Sequence, residues 1–391
     1  MKEVVIVSGA RTAVGGFGGA LRDVQSIDLA EHIMKEVMAR ANVQPDQINK
    51  TIFGCCFAPV EQNITRSAAL KAGIPKEVPG FTINSTCGSS LQALISATQS
   101  ILCEESEVVL TGGVESMSNA PYIMHTARWG QRLQHLQALD LVWKGMQEPT
   151  IGVGMGLTAE NLAEQFKISR LEQDEFAVLS HQRAAKATKE GKFKAEITPF
   201  PIPQRKKAPV IFNTDEYVRP DANVEMMSKL PAAFKKDGTV TAGNACGLND
   251  GASALVLMDR DKAKELDLKP LALVKGYHVA GVDPNYMGIG PVPAIQGVLK
   301  KVKLNLGDID RFEINEAFAA QYLACEKELG LDRNKVNVYG NGISLGHPVG
   351  ATGTRLIVTL LYEMMAENLN LGIASLCAGG GMGFAVLIER L

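Results

Sequence analysis

Seven cysteines stand in the 391-residue chain, and two of them sit where a thiol has chemistry to do. Cys87 follows the apolar run FTINST and precedes Gly88-Ser89-Ser90 and a stretch of small and apolar residues. A strand, loop and helix in that order put the sulfur at a helix N-terminus, where unpaired N–H groups and the helix dipole favour thiolate. The spacing therefore predicts a nucleophile of lowered pKa. Cys377 ends LGIASL and opens CAGGGMG, whose successive glycines present N–H groups to an oxyanion. His347 lies in NGISLGHPVGATGTRL. A lone histidine is more often structural than catalytic, but Gly342, Gly346 and Gly350 allow backbone to approach a ligand, and the loop mirrors that of Cys87. Asn315 follows the strand-like RFEI and brings an amide toward the same space. Cys55, Cys56, Cys103 and Cys325 read instead as buried structural cysteines.

The elements that must hold these residues alternate between strand and helix. VVIVSGA reads as a buried first strand, and Asp28 to Arg40 as a helix with Leu29, Ile33, Met34, Val37 and Met38 on one face and an Asp28/Glu31 capping pattern. TIFGCCFAPV, FTINSTC, a helix from Ser89 to Leu102 and EVVLTGG continue an α/β layering. From about Ser118 to Asn244 the character changes. Both tryptophans, the helical TAENLAEQF and SRLEQDEFAVLSHQRAAKATKEG, and the Pro- and Lys-bearing PFPIPQRKKAP lie there, so this region reads as a large insertion. Strands return at ALVLM and LALVKGY. A weak internal repeat sets FTINSTCGSSLQALISATQSIL…EVVLTGG beside VNVYGNGISLGHPVGATGTRLIVTLLYEMM…IASLCAGGG, each half reading strand, reactive loop, buried helix, strand, glycine turn. The predicted division is 1–118 with 245–268 as one half, 119–244 as the inserted domain, and 269–391 as the other half.

Composition excludes several function classes. A formal net charge of -2 offers no basic field for nucleic acid. No apolar stretch approaches the length of a membrane span. The odd, scattered cysteines give neither a disulfide framework nor zinc-ribbon spacing, so reduced thiols in a cytoplasm and no metal are expected. The start reads as a strand rather than a signal peptide, and Glu389-Arg390-Leu391 is not a peroxisomal address. Gly15, Gly16, Gly18 and Gly19 lack the fingerprint and acidic ribose ligand of a dinucleotide site and read as a turn near a subunit interface. Arg205-Lys206-Lys207 reads as a solvated loop.

Taken together, NSTCGSS, GGVESMSNAPY, RWG, MGLTAEN, DGTVTAGNACGLNDGA, AGVDP, NEAFAAQ, NGISLGHPVGATG and CAGGGMG resemble the thiolase family over nearly the whole chain. The resemblance implies a five-layered αβαβα fold of two pseudo-symmetric halves with a loop domain, and homodimers or homotetramers. It implies that Cys87 is the nucleophile acylated in the reaction, that His347 takes its proton, and that Cys377 is the acid/base at the α-carbon. Asn315, through a water, and His347 would form one oxyanion hole; the N–H groups of Cys87 and Gly379 would form the other. Coenzyme A is then a substrate, with Arg219 and Cys246 as contacts, and no separate cofactor is needed. Gly154, Met155, Met287 and Phe318 would line the acyl pocket.

The chain departs from the family at several places. Acetoacetyl-CoA thiolases usually carry histidine where Gly154 stands, so a bulkier acyl group than acetoacetyl is expected. Cys246 replaces the family's usual serine in the CoA loop, which predicts a changed pantetheine contact. Ser90, Asn341 and Ser344 are read equally as pocket changes and as drift. The alternatives are an ordinary acetyl-CoA C-acetyltransferase, a benzoylsuccinyl-CoA-type thiolase with a small zinc-ribbon/OB-fold partner subunit, a β-ketoacyl synthase, and a non-catalytic thiolase-like scaffold. The second thiol, Cys377, argues against the synthase, which would use a second histidine.

Overall fold

The computed structural model describes residues 2–57, 61–148 and 150–391. Apolar side chains alternate along the first strand, β1 (Val4–Thr12): Val4 and Ile6 point to one cluster of buried residues, Val5 and Val7 to another. A strand buried on both faces needs a layer above and a layer below. The same holds for most of β2 (Lys50–Gly54) and for β4 (Val108–Ser116) and β5 (Asn249–Asp259); with β1 and the partly exposed edge strand β3 (Gly80–Ile83) they form the sheet of the first half in the order β1-β5-β4-β2-β3. Strand β5 runs antiparallel to both β1 and β4, whereas β4, β2 and β3 are mutually parallel.

The second half repeats this plan. Strands β6 (Ala272–Gly281), β7 (Arg311–Ile314), β8 (Leu371–Ala378) and β9 (Met382–Arg390) lie in the order β6-β9-β8-β7, antiparallel, antiparallel and then parallel. Val5 and Ile6 of β1 pair with Leu273 and Ala272 of β6, joining the two sheets. Where the first half has β3, the second has one parallel bridge, Phe312 to Val336. The expected strand VNVYG is therefore reduced to a single pairing; the buried Asn337 side chain instead bonds the Ile314 backbone and Glu316.

Three helical layers complete the stack. Helices α1 (Ser26–Ala41) and α2 (Ile64–Lys71) cover the outer face of the first sheet. Between the sheets lie α3 (Ser89–Leu102) and, later in the chain, α8 (Thr352–Glu367), whose Leu91, Leu94, Leu356, Leu360 and Leu361 are fully buried against both. Each such side chain stabilises the fold by about 1.5–3 kcal/mol, and truncating Leu94 to Ala would cost about 2–5 kcal/mol. The outer face of the second sheet is covered by α6 (Pro291–Val302) and α7 (Ala319–Leu329), together with α4 (Met155–Gln165) and α5 (Arg170–Lys189) from the inserted region. Phe176 of α5 stacks on Tyr322 of α7 at 4.2 Å, so the insertion is packed onto this half. The result is αβαβα, with two pseudo-symmetric halves.

Some local expectations are corrected. Helix α1 starts at Ser26 after Gln25, which makes no side-chain cap; Asp28 and Glu31 pair with Lys71 of α2 instead, at 2.5 and 3.1 Å. The capping box belongs to α5, where Ser169 and Glu172 bond reciprocally. Cys103 is exposed at the end of α3, and Cys56 is only partly buried, so neither is a core thiol like Cys55 and Cys325. Arg205, Lys206 and Lys207 are exposed at the turn of the hairpin Phe200–Gln204/Lys207–Phe212, as expected of a solvated loop. Among the described residues no helix is long and apolar enough to cross a membrane.

Candidate active site

Cys87 stands two residues before α3, after Thr86, whose φ of +50° lies in the left-handed region. That conformation costs on the order of 1–3 kcal/mol in a β-branched residue and persists only where neighbours hold it. Here Asn84 accepts the Thr86 N–H at 3.1 Å, Ser89 donates its hydroxyl to the Thr86 carbonyl at 2.5 Å, and the Cys56 thiol donates to the same carbonyl at 3.1 Å. The strained elbow turns the Cys87 sulfur toward two N–H groups, its own and that of Gly379. Thr86 also donates its hydroxyl to the Gly379 carbonyl at 3.2 Å, linking the Cys87 elbow to the CAGGGMG turn.

The lowered thiol pKa expected from the helix terminus is not found. Burial pushes the Cys87 thiol up to about 11, against the pull of the two N–H groups, and the buried Glu115 carboxylate adds to the rise. Desolvation outweighs the dipole here, and the resting Cys87 side chain is a neutral thiol.

His347 lies five residues before α8, with its backbone N–H donated to Asn249 at 2.8 Å. The ring is buried, and burial together with the Arg355 charge lowers its pKa to about 3, so it is neutral. Nδ1 is 2.7 Å from the Thr352 hydroxyl oxygen, and that hydroxyl donates its only hydrogen to the Pro348 carbonyl at 2.9 Å. Nδ1 must therefore carry the ring proton and donate it to Thr352. Nε2 is left with a lone pair and, among the described residues, no hydrogen-bond partner, the form a base requires. The Asn315 side chain is fully buried, and neither Nδ2 nor Oδ1 has a hydrogen-bond partner among the described residues; Oδ1 lies against Gly342 of the His347 loop. Unpaired buried polar atoms of this kind mark a place prepared for a ligand or water.

Cys377 is buried at the end of β8, its thiol raised well above the ordinary value by burial and then by the neighbouring Cys87, Cys325 and Cys246. Cys246 is partly buried, and its thiol is pushed up to about 12 by burial and by Cys87. Its N–H bonds the Ala317 carbonyl at 2.9 Å, which fastens the TAGNACG loop to the NEAF segment. Arg219 is exposed, its guanidinium 5.5 Å from the centre of the Tyr217 ring. The Tyr217 ring abuts Gly247, beside Cys246, so Arg219 sits at the mouth of the same region.

The pocket residues divide into an apolar wall and an open edge. Met287 and Phe318 are buried in one cluster with Cys377, and Phe234 meets Phe318 edge to face at 6.0 Å. The Met155 sulfur lies 3.6 Å from where a side chain on Gly379 would begin. Gly154 has φ −75° and ψ 154°, values open to any residue, and among the described residues a side chain there would meet only the Met146 carbonyl at 3.9 Å. Its lack of a side chain is thus not imposed by the backbone or by crowding. Ser90, Asn341 and Ser344 prove to be tied into the frame: Ser90 accepts the Thr354 N–H, Asn341 joins Arg355 to Glu313, and Ser344 bonds Ser180.

Several site residues carried no reactive pattern in the sequence. Glu115, fully buried in β4, accepts the N–H groups of Cys56, Phe57 and Gly350 at 2.9, 3.0 and 3.0 Å, tying the first half to the His347 loop. Its signal was a lone acid in an apolar strand. Thr352 and Asn249 gave none, because their partners are set by the tertiary fold. Among the described residues no cluster of three or more His, Cys, Asp or Glu side chains could hold a metal ion.

Residues 4–261 match the thiolase N-terminal domain and residues 268–390 the thiolase C-terminal domain. An acetyl-CoA acetyltransferase of Cupriavidus necator is 49% identical over 392 residues, covering 100% of both chains. The crystal structure of the Bacillus anthracis acetyl-CoA acetyltransferase superposes with a TM-score of 0.98 at 52% identity, covering 100% of this chain and 99% of the other. Human mitochondrial 3-ketoacyl-CoA thiolase in complex with CoA gives 0.96 at 42% identity, covering 100% and 98%. With both domains matched and these relatives aligned end to end, the chain belongs to the thiolase family and is an acyltransferase.

Proposed function

We propose that this enzyme moves an acyl group between Cys87 and coenzyme A, cleaving or forming a 3-oxoacyl-CoA bulkier than acetoacetyl-CoA. In cleavage, His347 Nε2 takes the Cys87 proton as the sulfur attacks the 3-oxo carbon. The N–H groups of Cys87 and Gly379 meet the oxyanion that forms. The carbon–carbon bond breaks, and the electron pair passes to the enolate of acetyl-CoA. Cys377 protonates that enolate at carbon, while Asn315, through a water, and His347 stabilise its oxygen. A free CoA thiol then passes its proton to the Cys377 thiolate and attacks the acyl-Cys87 thioester; the leaving Cys87 sulfur takes its proton back from His347, so acyl-CoA is released and all three groups are restored.

A neutral thiol at Cys87 and a neutral imidazole at His347 support this order: the ion pair forms only as charge passes to the substrate, where fixed donors receive it. Residues 119–244 act as the domain that holds CoA and acyl chain, with Arg219 near the phosphates and Cys246 beside the pantetheine. The exposed Tyr122, Met124, Trp129, Leu133, Leu136 and Trp143 support assembly into homodimers or homotetramers. Seven scattered cysteines, an odd number, support a reducing, cytoplasmic setting.

The observation that carries the bulkier substrate is the open edge at Gly154, where space is present and backbone geometry does not require glycine. The test is thiolysis of a panel of acetoacetyl-, longer aliphatic and aryl-substituted 3-oxoacyl-CoA thioesters, with Cys87→Ala as the blank. Bulky substrates are expected to have the higher kcat/KM. Equal or better turnover of acetoacetyl-CoA would return the enzyme to the ordinary acetyl-CoA C-acetyltransferases.

A further inference from the structure

The turn that carries the Gly379 N–H is gripped from the substrate side by a carboxylate that no motif singles out. Glu148 ends a short strand, Gln147–Glu148, paired with Val153–Gly154, so it belongs to the ribbon that leads into the acyl pocket. Its side chain is buried. Oε2 accepts the Gly380 N–H at 2.8 Å, and Oε1 accepts the Thr150 hydroxyl at 2.7 Å and the Thr150 N–H at 3.2 Å. Burial pushes its pKa up, but the bonds from Thr150 and Gly380 outweigh burial and hold it below the ordinary value, so it is ionised.

The Gly379–Gly380 peptide is a rigid plane with one C=O and one N–H. Glu148 holds the N–H, while the C=O shares the Thr86 hydroxyl, at 3.2 Å, with the nearer Ser85 carbonyl at 2.8 Å. Without both, the turn has freedom to move, since Gly380 and Gly381 occupy the left-handed region at φ +84° and +75°. One residue earlier, the Gly379 N–H faces the Cys87 sulfur.

We infer that Glu148 is a positioning residue for acyl transfer: by clamping the Gly379–Gly380 peptide it aims the Gly379 N–H at the charge that develops on Cys87 and on its acyl oxygen. This rests on Cys87 being the acylated nucleophile. It also means that the acyl-pocket ribbon and the oxyanion donor are one mechanical unit, so displacement of the ribbon is felt at the reacting carbonyl.

The test compares Glu148→Ala with Glu148→Gln in the full chain, folding being checked by circular dichroism. Glutamine keeps an oxygen for the Gly380 N–H and turns its amide toward the Thr150 hydroxyl. Two readouts are taken: single-turnover acylation by a 3-oxoacyl-CoA, and the pH profile of Cys87 alkylation by iodoacetamide. Glu148→Ala is expected to slow acylation about tenfold or more, with KM nearly unchanged, because a donor used mainly in the transition state is misaimed. Its alkylation profile should move to higher pH, since a thiolate that loses an N–H donor is less stable. Glu148→Gln should keep both properties near wild type. Should Glu148→Ala not fold, Glu148→Asp, which withdraws the carboxylate by one methylene, replaces it with the same expectations. Wild-type acylation and an unmoved profile in the alanine (or aspartate) variant would overturn the assignment, as would a glutamine variant as impaired as alanine. If the wild type formed no acyl-enzyme at Cys87, the nucleophile reading would fall, and the alkylation profiles would still decide whether Glu148 governs the turn.

Discussion

Replacing Thr352 with valine tests the base directly. The two side chains have nearly the same shape, so the pocket stays filled while the oxygen that accepts the His347 Nδ1 proton at 2.7 Å disappears. Two things follow. A buried donor is left unpaired, at a cost of about 1–3 kcal/mol. The ring is also freed to hold its proton on Nε2, the tautomer that cannot take a proton from Cys87. If the full cost falls on the active tautomer, acylation slows by about 5- to 150-fold. The measurement is the single-turnover rate of acyl-enzyme formation, with Thr352→Ser as the control that restores the oxygen. Binding of the substrate should change little, because Thr352 is buried behind the histidine. A valine variant that acylates within about twofold of wild type, with serine no better, would refute the assignment of the proton to Nδ1.

Three further outcomes are expected. Gly154→Leu should fold normally, since only the Met146 carbonyl lies nearby, and should shift the ratio of bulky to acetoacetyl turnover by about tenfold toward acetoacetyl-CoA, read from kcat/KM on both. Arg219→Ala should raise KM for CoA several-fold at nearly constant kcat, because its exposed cation sits on Tyr217 at the mouth of the site; an unchanged KM would remove it from the CoA contacts. The contribution of two buried histidines to stability should fall as pH drops below about 6.5, the ordinary histidine value. Burial holds His347 at about 3 and His181 at about 4, so the unfolded chain takes up protons that the folded chain refuses. At pH 4.5 each contributes about 2–3 kcal/mol of lost stability, visible as a lower melting temperature that His347→Asn should partly restore relative to its own value at pH 7.

Much of this architecture was legible because periodicity reports burial. The Ser89–Leu102 helix coincides with its expected bounds, since glycine and serine mark its start and its apolar residues continue to Leu102. The doubled plan of strand, reactive loop, helix and glycine turn was visible as well, except at VNVYG, where the side chain of Asn337 takes over backbone partners that a strand would have used. The reactive residues announced themselves by glycine-rich surroundings. Their protonation states did not. A helix terminus argues for thiolate at Cys87, but the depth of burial that reverses the sign depends on packing from both halves and on Glu115. Glu148 and Thr352 were equally silent: the first acts on a glycine 232 positions away, and the second is defined only by the orientation of a ring.

The place of β5 bears on how the chain is born. It lies between β1 and β4 in the first sheet, yet it follows β4 only after roughly 130 residues of inserted chain. During translation at about 5–20 residues per second, β1 and β4 emerge and then wait for about 7–26 seconds with no partner between them. For that interval the nascent first half presents two apolar strands with open edges, the kind of surface that invites pairing with a neighbouring chain. No fragment ending before Asp259 can close its sheet, so early termination products should be aggregation-prone, and ribosome-associated chaperones have a defined window in which to act.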